Sequence, residues 1–248
     1  MKKTLLKAFY TLLGVAFWLV IYEIFARRVD LGFIIPGLKD TFVNFIELFS
    51  SLEFYKSVYT SLFRIVIGYS LGAALGIALA LLSFKIKPLF YLLSPLMTTL
   101  KATPVASFIL VVWFLLGSHL VPIAIALIMV MPIIYQNLID GQKAIDPRLT
   151  EVCTVYNVGY ARRLRILIFP TMMKFLIPGL VTSCGLAWKS GIAAEIICYT
   201  KNSLGQSIVD AKNYFESARM FALTAVVIIL SIIIEKLFTS LLKRGERV

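Results

Sequence analysis

The sequence predicts an all-α polytopic membrane protein with about six transmembrane helices. Three observations carry that prediction. Of 248 residues, 60% are hydrophobic and only 15% charged, and the mean hydropathy is +0.90, whereas soluble domains are nearer half apolar and a quarter charged. Several apolar runs approach the roughly 20 residues that a helix needs to cross a bilayer. The basic residues gather at the ends of those runs and in one set of loops, as the positive-inside bias requires. The formal charge of +12 therefore reads as membrane topology and attraction to lipid headgroups, and nucleic acid is not an expected partner. The whole chain, 1–248, is one transmembrane domain, without a repeat, a low-complexity tract or a soluble domain.

The elements follow in order. Met1–Lys7 is basic and Ala8–Ala26 almost wholly apolar. Its length, and its end at Ala26-Arg27-Arg28 without a small-x-small cleavage site, argue for a first span rather than a secretory signal. Gly32–Gly37 breaks the chain. Thr41–Phe54 alternates Phe42, Phe45, Ile46 and Phe49 with Asn44, Glu47 and Ser50, which predicts an interfacial helix on the outer side. Ser57–Phe84 is the second span. In it Arg64, Gly68, Gly72 and Gly76 recur every four residues and share one face. The glycines read as close helix packing in lipid, while a charge at Arg64 must snorkel, pair or line water. Pro88–Leu116 is a third span interrupted by Pro95 and Pro104, with Lys101-Ala102-Thr103 between them. Val121–Leu138 is the fourth. Met172–Ile197, carrying Trp188, Lys189 and Glu195, is the fifth, Tyr199–Arg219 an outer polar segment, and Met220–Leu242 the sixth. Inner ends and loops, from Lys2, Lys3 and Lys7 to Lys243, Arg244 and Arg247, then hold about twice the Lys and Arg of the outer segments. The expectation is a multi-pass protein of the cell membrane with both termini cytoplasmic.

One long polar segment interrupts this pattern, Gly141–Pro170, with Lys143, Arg148, Arg162, Arg163 and Arg165. A loop that basic belongs in the cytoplasm. Asp146-Pro147 is a helix start, because Asp accepts from free amides and Pro suits the first turn. Apolar residues recur at Leu149, Val152, Val155 and Tyr156, then at Leu164, Leu167 and Ile168, with Asn157-Val158-Gly159 between. The segment thus predicts two short helices joined at a turn, since Asn and Gly enter left-handed backbone most readily.

Several chemistries lack their residues. No GxxxxGK[ST] run exists, so this chain does not hydrolyse ATP alone. Cys153, Cys184 and Cys198 have no metal-ligand spacing and His119 is the only histidine, so no metal site is expected. Cys153 is expected to be reduced and the other two to pack as small apolar residues. Lys189 and Glu195 lie six apart, about 240° around a helix, and cannot pair along it. Only Glu195 and Glu235 could serve an intramembrane proton relay.

The polar segment resembles the cytoplasmic "EAA" loop of permease subunits of binding-protein-dependent ABC importers. Glu151-Val152-Cys153 stands where that pattern has Glu-Ala-Ala, Asn157 where it has Gly, and Leu167-Ile168-Phe169-Pro170 where it ends in hydrophobic-x-Leu-Pro. The residue choices depart at Val152, Cys153, Asn157 and Phe169, but the spacing holds. Further motifs resemble the nitrate/sulfonate/taurine-type permeases in the right order over Ser57–Leu242. They are Thr60-Ser61-Leu62-Phe63-Arg64 with Gly68, Gly72 and Gly76; Lys101–Ala106 with Val112-Trp113-Phe114; Gly185–Trp188 with Ala194-Glu195; and Ser203-Leu204-Gly205. Gly117-Ser118-His119-Leu120 departs, since many relatives carry an acid after the glycine.

The resemblance implies a type I ABC importer transmembrane domain, not an enzyme, with core 57–242 and coupling loop 141–170. It implies two cytoplasmic ATPases that carry ATP and Mg, an extracytoplasmic solute-binding protein, membrane lipids and a homodimer. Glu151, Val152, Cys153, Asn157, Gly159 and Pro170 would couple to the ATPase. Arg64, Lys101, Trp113, Trp188, Lys189 and Glu195 are the candidates for the translocation path. Each charge could instead pair within the protein, and each tryptophan could simply pack. The expected solute is a small anion such as a sulfonate, taurine or nitrate. The alternatives are a vitamin precursor or aromatic solute, or an ion-coupled carrier or channel without an ATPase.

Overall fold

A computed structural model describes residues 2–29 and 34–245; Gly32 and Arg247 lie outside the described residues. The secondary structure among those residues is helical throughout: α1 (Lys2–Val29), α2 (Leu38–Leu48), α3 (Leu52–Lys85), α4 (Lys87–Ala102), α5 (Val105–Leu116), α6 (Val121–Lys143), α7 (Pro147–Val155), α8 (Tyr160–Arg163), α9 (Phe169–Ile197), α10 (Leu204–Asn213) and α11 (Ser217–Gly245). A π-helical stretch, Leu164–Ile168, joins α8 to α9.

The six expected spans become four helices, one bent pair and α1. α3, α6, the run Tyr160–Ile197 and Ser217–Leu242 are each long and apolar enough to cross a membrane, and α4 with α5 makes up to five. α1 is not among the four, although its 28 residues reach about 42 Å at 1.5 Å per residue. α4 and α5 meet at 105°. Only one of the two expected prolines makes that break. Pro95 stays inside α4, whereas Thr103 before Pro104 takes extended backbone at ψ 134 and ends the helix, as the steric demand of proline on its predecessor requires.

The interfacial helix also differs from expectation. α2 stops at Leu48, and Phe49–Ser51 forms a turn with Ser50 N donating to Glu47 O at 3.0 Å. Phe54 then belongs to α3, which starts five residues before the expected second span.

α6 is the central helix, buried along most of its length between α3 and α9. Ala126, Val130 and Ile134 have no exposed surface and lie in one core with Ile65, Met97, Trp188 and Leu223. A second cluster joins Ile109 of α5, Val121 and Ile125 of α6 and Ala194 of α9. The glycine face of α3 makes the α3–α6 contact. A Cβ on Gly72 would lie 2.8 Å from Leu127 O, one on Gly76 2.7 Å from Met131 O, and one on Gly68 would strike Ile123 O. Backbone-to-backbone approach of this kind is what small residues permit in lipid.

α3, α6, α9 and α11 give the bundle two ends. One holds Arg64, His119 and α10; the other holds the α3–α4 corner and α7.

Candidate functional site

At the Arg64 end three segments distant in sequence meet on one carboxylate. Glu195, near the end of α9, is completely buried. Its Oε2 accepts from Ser61 Oγ of α3 at 2.7 Å and from Gly205 N of α10 at 3.3 Å. Ser61 Oγ in turn accepts from Leu204 N at 2.9 Å. The same serine is therefore donor to the carboxylate and acceptor for the first amide of α10. Ser203 caps α10 by accepting from Gln206 N at 3.0 Å, so the loop after α9 is held at both its start and its end. Gly205 is required because a Cβ there would lie 2.7 Å from Ile196 N. A charge-assisted hydrogen bond of this type stabilises by about 1.5–3 kcal/mol.

Arg64 lies one turn along α3 from Ser61. Its Nη1 stands 3.9 Å from Glu195 Oε1, and its side chain is 12% exposed. Both Nη1 and Nη2 donate to Lys201 O at 3.3 Å, and Nη2 lies 3.4 Å from His119 Nδ1 in the α5–α6 turn. Thr200 Oγ1 donates to Ser118 O at 3.0 Å and ties the same turn to the same loop. Tyr199 donates to Asp210 Oδ1 at 2.5 Å, and this bond raises its phenol pKa above the ordinary value.

The other path candidates do not join this cluster. Lys101 and Lys189 are exposed, and Lys101 sits just before the Thr103-Pro104 break. Trp113 is exposed on α5. Trp188 is 1% exposed, and its Nε1 donates to Val227 O of α11 at 3.1 Å. It holds α9 against α11 and presents no surface to a solute.

At the opposite end the basic loop is built as the residues dictate, with one difference. Asp146 Oδ1 accepts from Arg148 N at 2.8 Å and starts α7 with Pro147 in its first turn. Asn157 turns the chain at φ +49, whereas Gly159 is at φ −56 and uses none of glycine's freedom. The second short helix, however, is no separate element. α8 runs through the π stretch into α9, and Phe169 N donates to Leu164 O, five residues back. Pro170 explains the widened turn: it has no N–H for Ile166 O, and its ring would crowd that carbonyl in a regular helix. Pro170 thus widens a continuous rod of 38 residues, Tyr160–Ile197.

α7 turns Cys153 inward; it is buried, as Cys184 and Cys198 are elsewhere in the bundle, and all three are free. Leu149, Val152, Val155 and Tyr156 form an uncovered apolar stripe, with Val155 76% and Tyr156 77% exposed. Glu151 is exposed beside it.

A family profile described as "Binding-protein-dependent transport system inner membrane component" matches residues 72–246. The chain belongs to this family. It is a multi-pass membrane protein and a transport component, the permease subunit of an ABC importer. The chain is 26% identical over 216 residues to a putative aliphatic sulfonates transport permease, SsuC, of Bacillus subtilis, covering 86% of this chain and 76% of that one. It is 26% identical over 142 residues to a nitrate import permease, NrtB, of Synechocystis, covering 56% and 51%. A bicarbonate transport system permease, CmpB, of Synechococcus elongatus is 28% identical over 165 residues, covering 65% and 59%. Among solved structures, the crystal structure of an amino acid ABC transporter with histidines superposes with a TM-score of 0.64 at 19% identity, covering 83% of this chain and 96% of that one. That likeness shows the fold.

Ser61, Glu195, Leu204 and Gly205 latch α10 onto α3 and α9; the permease motifs contain all four, yet their meeting is not visible in the sequence. Ser61 lies 134 residues from Glu195 and Arg64 137 from Lys201. Thr200 and Lys201 had no signal of their own, since their parts in the network rest on loop geometry.

Proposed function

We propose that this permease works as a homodimer that imports a small anion, delivered by an extracytoplasmic binding protein and driven by two cytoplasmic ATPases carrying ATP and Mg. The observation that carries this reading is the uncovered stripe of α7, Leu149, Val152, Val155 and Tyr156. It lies in the most basic loop of the chain, which the positive-inside bias assigns to the cytoplasm. Apolar side chains clustered on a short polar loop in water are the mark of a partner surface. Glu151, Asn157 and Gly159 lie along the same loop and would shape the contact.

The rod from Tyr160 to Ile197 gives that contact its reach. Its 38 residues extend about 57 Å, well beyond a hydrocarbon core of about 30 Å. Movement of α7 by a closing ATPase pair would tilt this rod together with the packed α6 and α3. The far end of the rod is Glu195 and the α10 latch, so displacement at one face of the membrane would reach the other. A path between two copies would be lined by groups exposed on one copy, such as Lys101, Lys189, Trp113 and the edge of Arg64. Trp188 and Glu195 would act behind it.

The anion reading draws on the relatives named for sulfonates, nitrate and bicarbonate, together with three basic side chains at or near span positions. Proteoliposomes holding the complete importer should accumulate labelled nitrate, bicarbonate or an aliphatic sulfonate only with ATP and the binding protein present. Uptake by this chain alone, without ATP, would overturn the reading.

A further inference from the structure

The guanidinium of Arg64 is loosely held. None of its recorded hydrogen bonds is shorter than 3.3 Å, although it has five N–H donors in a fork suited to an oxyanion. Its counter-charge is the opposite case. Glu195 is clamped through Oε2 by Ser61 and Gly205, and Gly205 packs directly on the Cβ of Glu195 and the backbone of Ile196. The other oxygen, Oε1, is buried, has no hydrogen-bond partner and lies 3.9 Å from Arg64 Nη1. The carboxylate is near enough to act on the guanidinium electrostatically but is not bonded to it.

We propose that Glu195 is a positioning residue acting through Arg64: a fixed counter-charge that limits how tightly Arg64 holds a passing oxyanion. The inference rests on the anion reading above. An oxyanion reaching the exposed edge of Arg64 shares the cation with Glu195, so it is held and then let go. Transport needs both steps, because a site that binds too well does not release. With the charge at Glu195 removed, the same fork has no competitor and the anion stays longer. Slowing this late step lowers kcat and apparent KM together, whereas a strut that merely supports the fold has no reason to lower KM.

The test uses the complete importer in proteoliposomes with labelled nitrate and ethanesulfonate, and varies the concentration of solute-loaded binding protein. Glu195→Gln retains an oxygen for Ser61 and Gly205 but loses the charge. It should lower both kcat and apparent KM by about threefold to tenfold, and in an Arg64→Ala background it should leave KM within about twofold. Ser61→Ala frees the carboxylate to turn towards Arg64 and should raise KM by a similar factor; it decides the matter alone if Glu195→Gln is not recovered folded. A fall in kcat with KM unchanged or raised in Glu195→Gln, or the same KM shift without Arg64, would overturn the proposal, as would Ser61→Ala with KM unchanged or lowered. A wild-type importer that moves neither anion would overturn the anion reading and this inference with it. Wild-type transport with additive variants would overturn this inference alone.

Discussion

The two ends of the bundle treat polarity in opposite ways. At the Arg64 end a carboxylate with no exposed surface is met by donors from α3 and α10, all supplied by the chain itself. At the α7 end, Val155 and Tyr156 are three-quarters exposed in the most basic loop of the sequence. Buried polar groups demand partners, and this chain provides most of them. Exposed apolar groups on a short helix also demand a partner, and the described residues provide none for the stripe. The first end is therefore finished within one subunit, and the second, on the proposed function, is where another protein would dock. Substitutions should separate the two: overpacking at Gly205 unfolds, and damage at the stripe uncouples.

The largest effect is expected at Gly205. A side chain there meets Glu195 and the backbone of Ile196, which cannot yield. Gly205→Val should cost about 3 kcal/mol of stability, at the upper end of overpacking effects, read as thermal unfolding of the purified protein in detergent. A midpoint equal to that of the wild type would break the contrast at its finished end.

The stripe should respond in the opposite sense. Glu151→Lys and Tyr156→Asp are both exposed, so unfolding should stay within about 0.5 kcal/mol of wild type. The amount of ATPase that co-purifies should fall at least tenfold. Loss of folding with the ATPase retained would reverse the assignment.

How much of this was legible follows from where each signal lives. Local signals were legible. Asp146-Pro147 predicted the start of α7, Asn157 the left-handed turn, and the four-residue glycine spacing the close face of α3, because each depends on backbone within a few residues. Competition between neighbours was less legible. Pro95 and Pro104 look alike in the sequence, yet only the Thr103-Pro104 step breaks the helix, and Phe49–Ser51 interrupts an amphipathic pattern that runs on past it. Pro170 reads as an end and instead widens one turn of a continuous helix. Long-range signals were not legible at all. Nothing near Ser61 announces a bond to Glu195, and nothing near His119 announces Arg64.

A smaller effect is expected at the hinge between the exposed loop and the rod. Asn157 holds φ +49, so Asn157→Val should cost about 1–2 kcal/mol in local backbone strain, whereas Asn157→Gly should be near neutral. Limited proteolysis of the α7–α8 segment is the direct measurement, and equal cleavage of the two variants would mean that the turn is not constrained.

The smallest effect is expected at Tyr199, exposed beside the latch. Its phenol is held above the usual pKa by Asp210, so the bond contributes fully below the ordinary tyrosine pKa of about 10 and is lost as pH rises through the raised value. Tyr199→Phe should lower the thermal midpoint slightly at neutral pH, with the difference shrinking at strongly alkaline pH. A difference that grew with pH would contradict the assigned donor.

The most direct test of the whole account is purification of the tagged chain from its native membrane, with ATPase activity measured on what accompanies it. The account predicts a co-purifying ATPase in equal stoichiometry, lost from Tyr156→Asp and retained by Glu195→Gln. A single chain that comes through alone and transports in liposomes without ATP would contradict it.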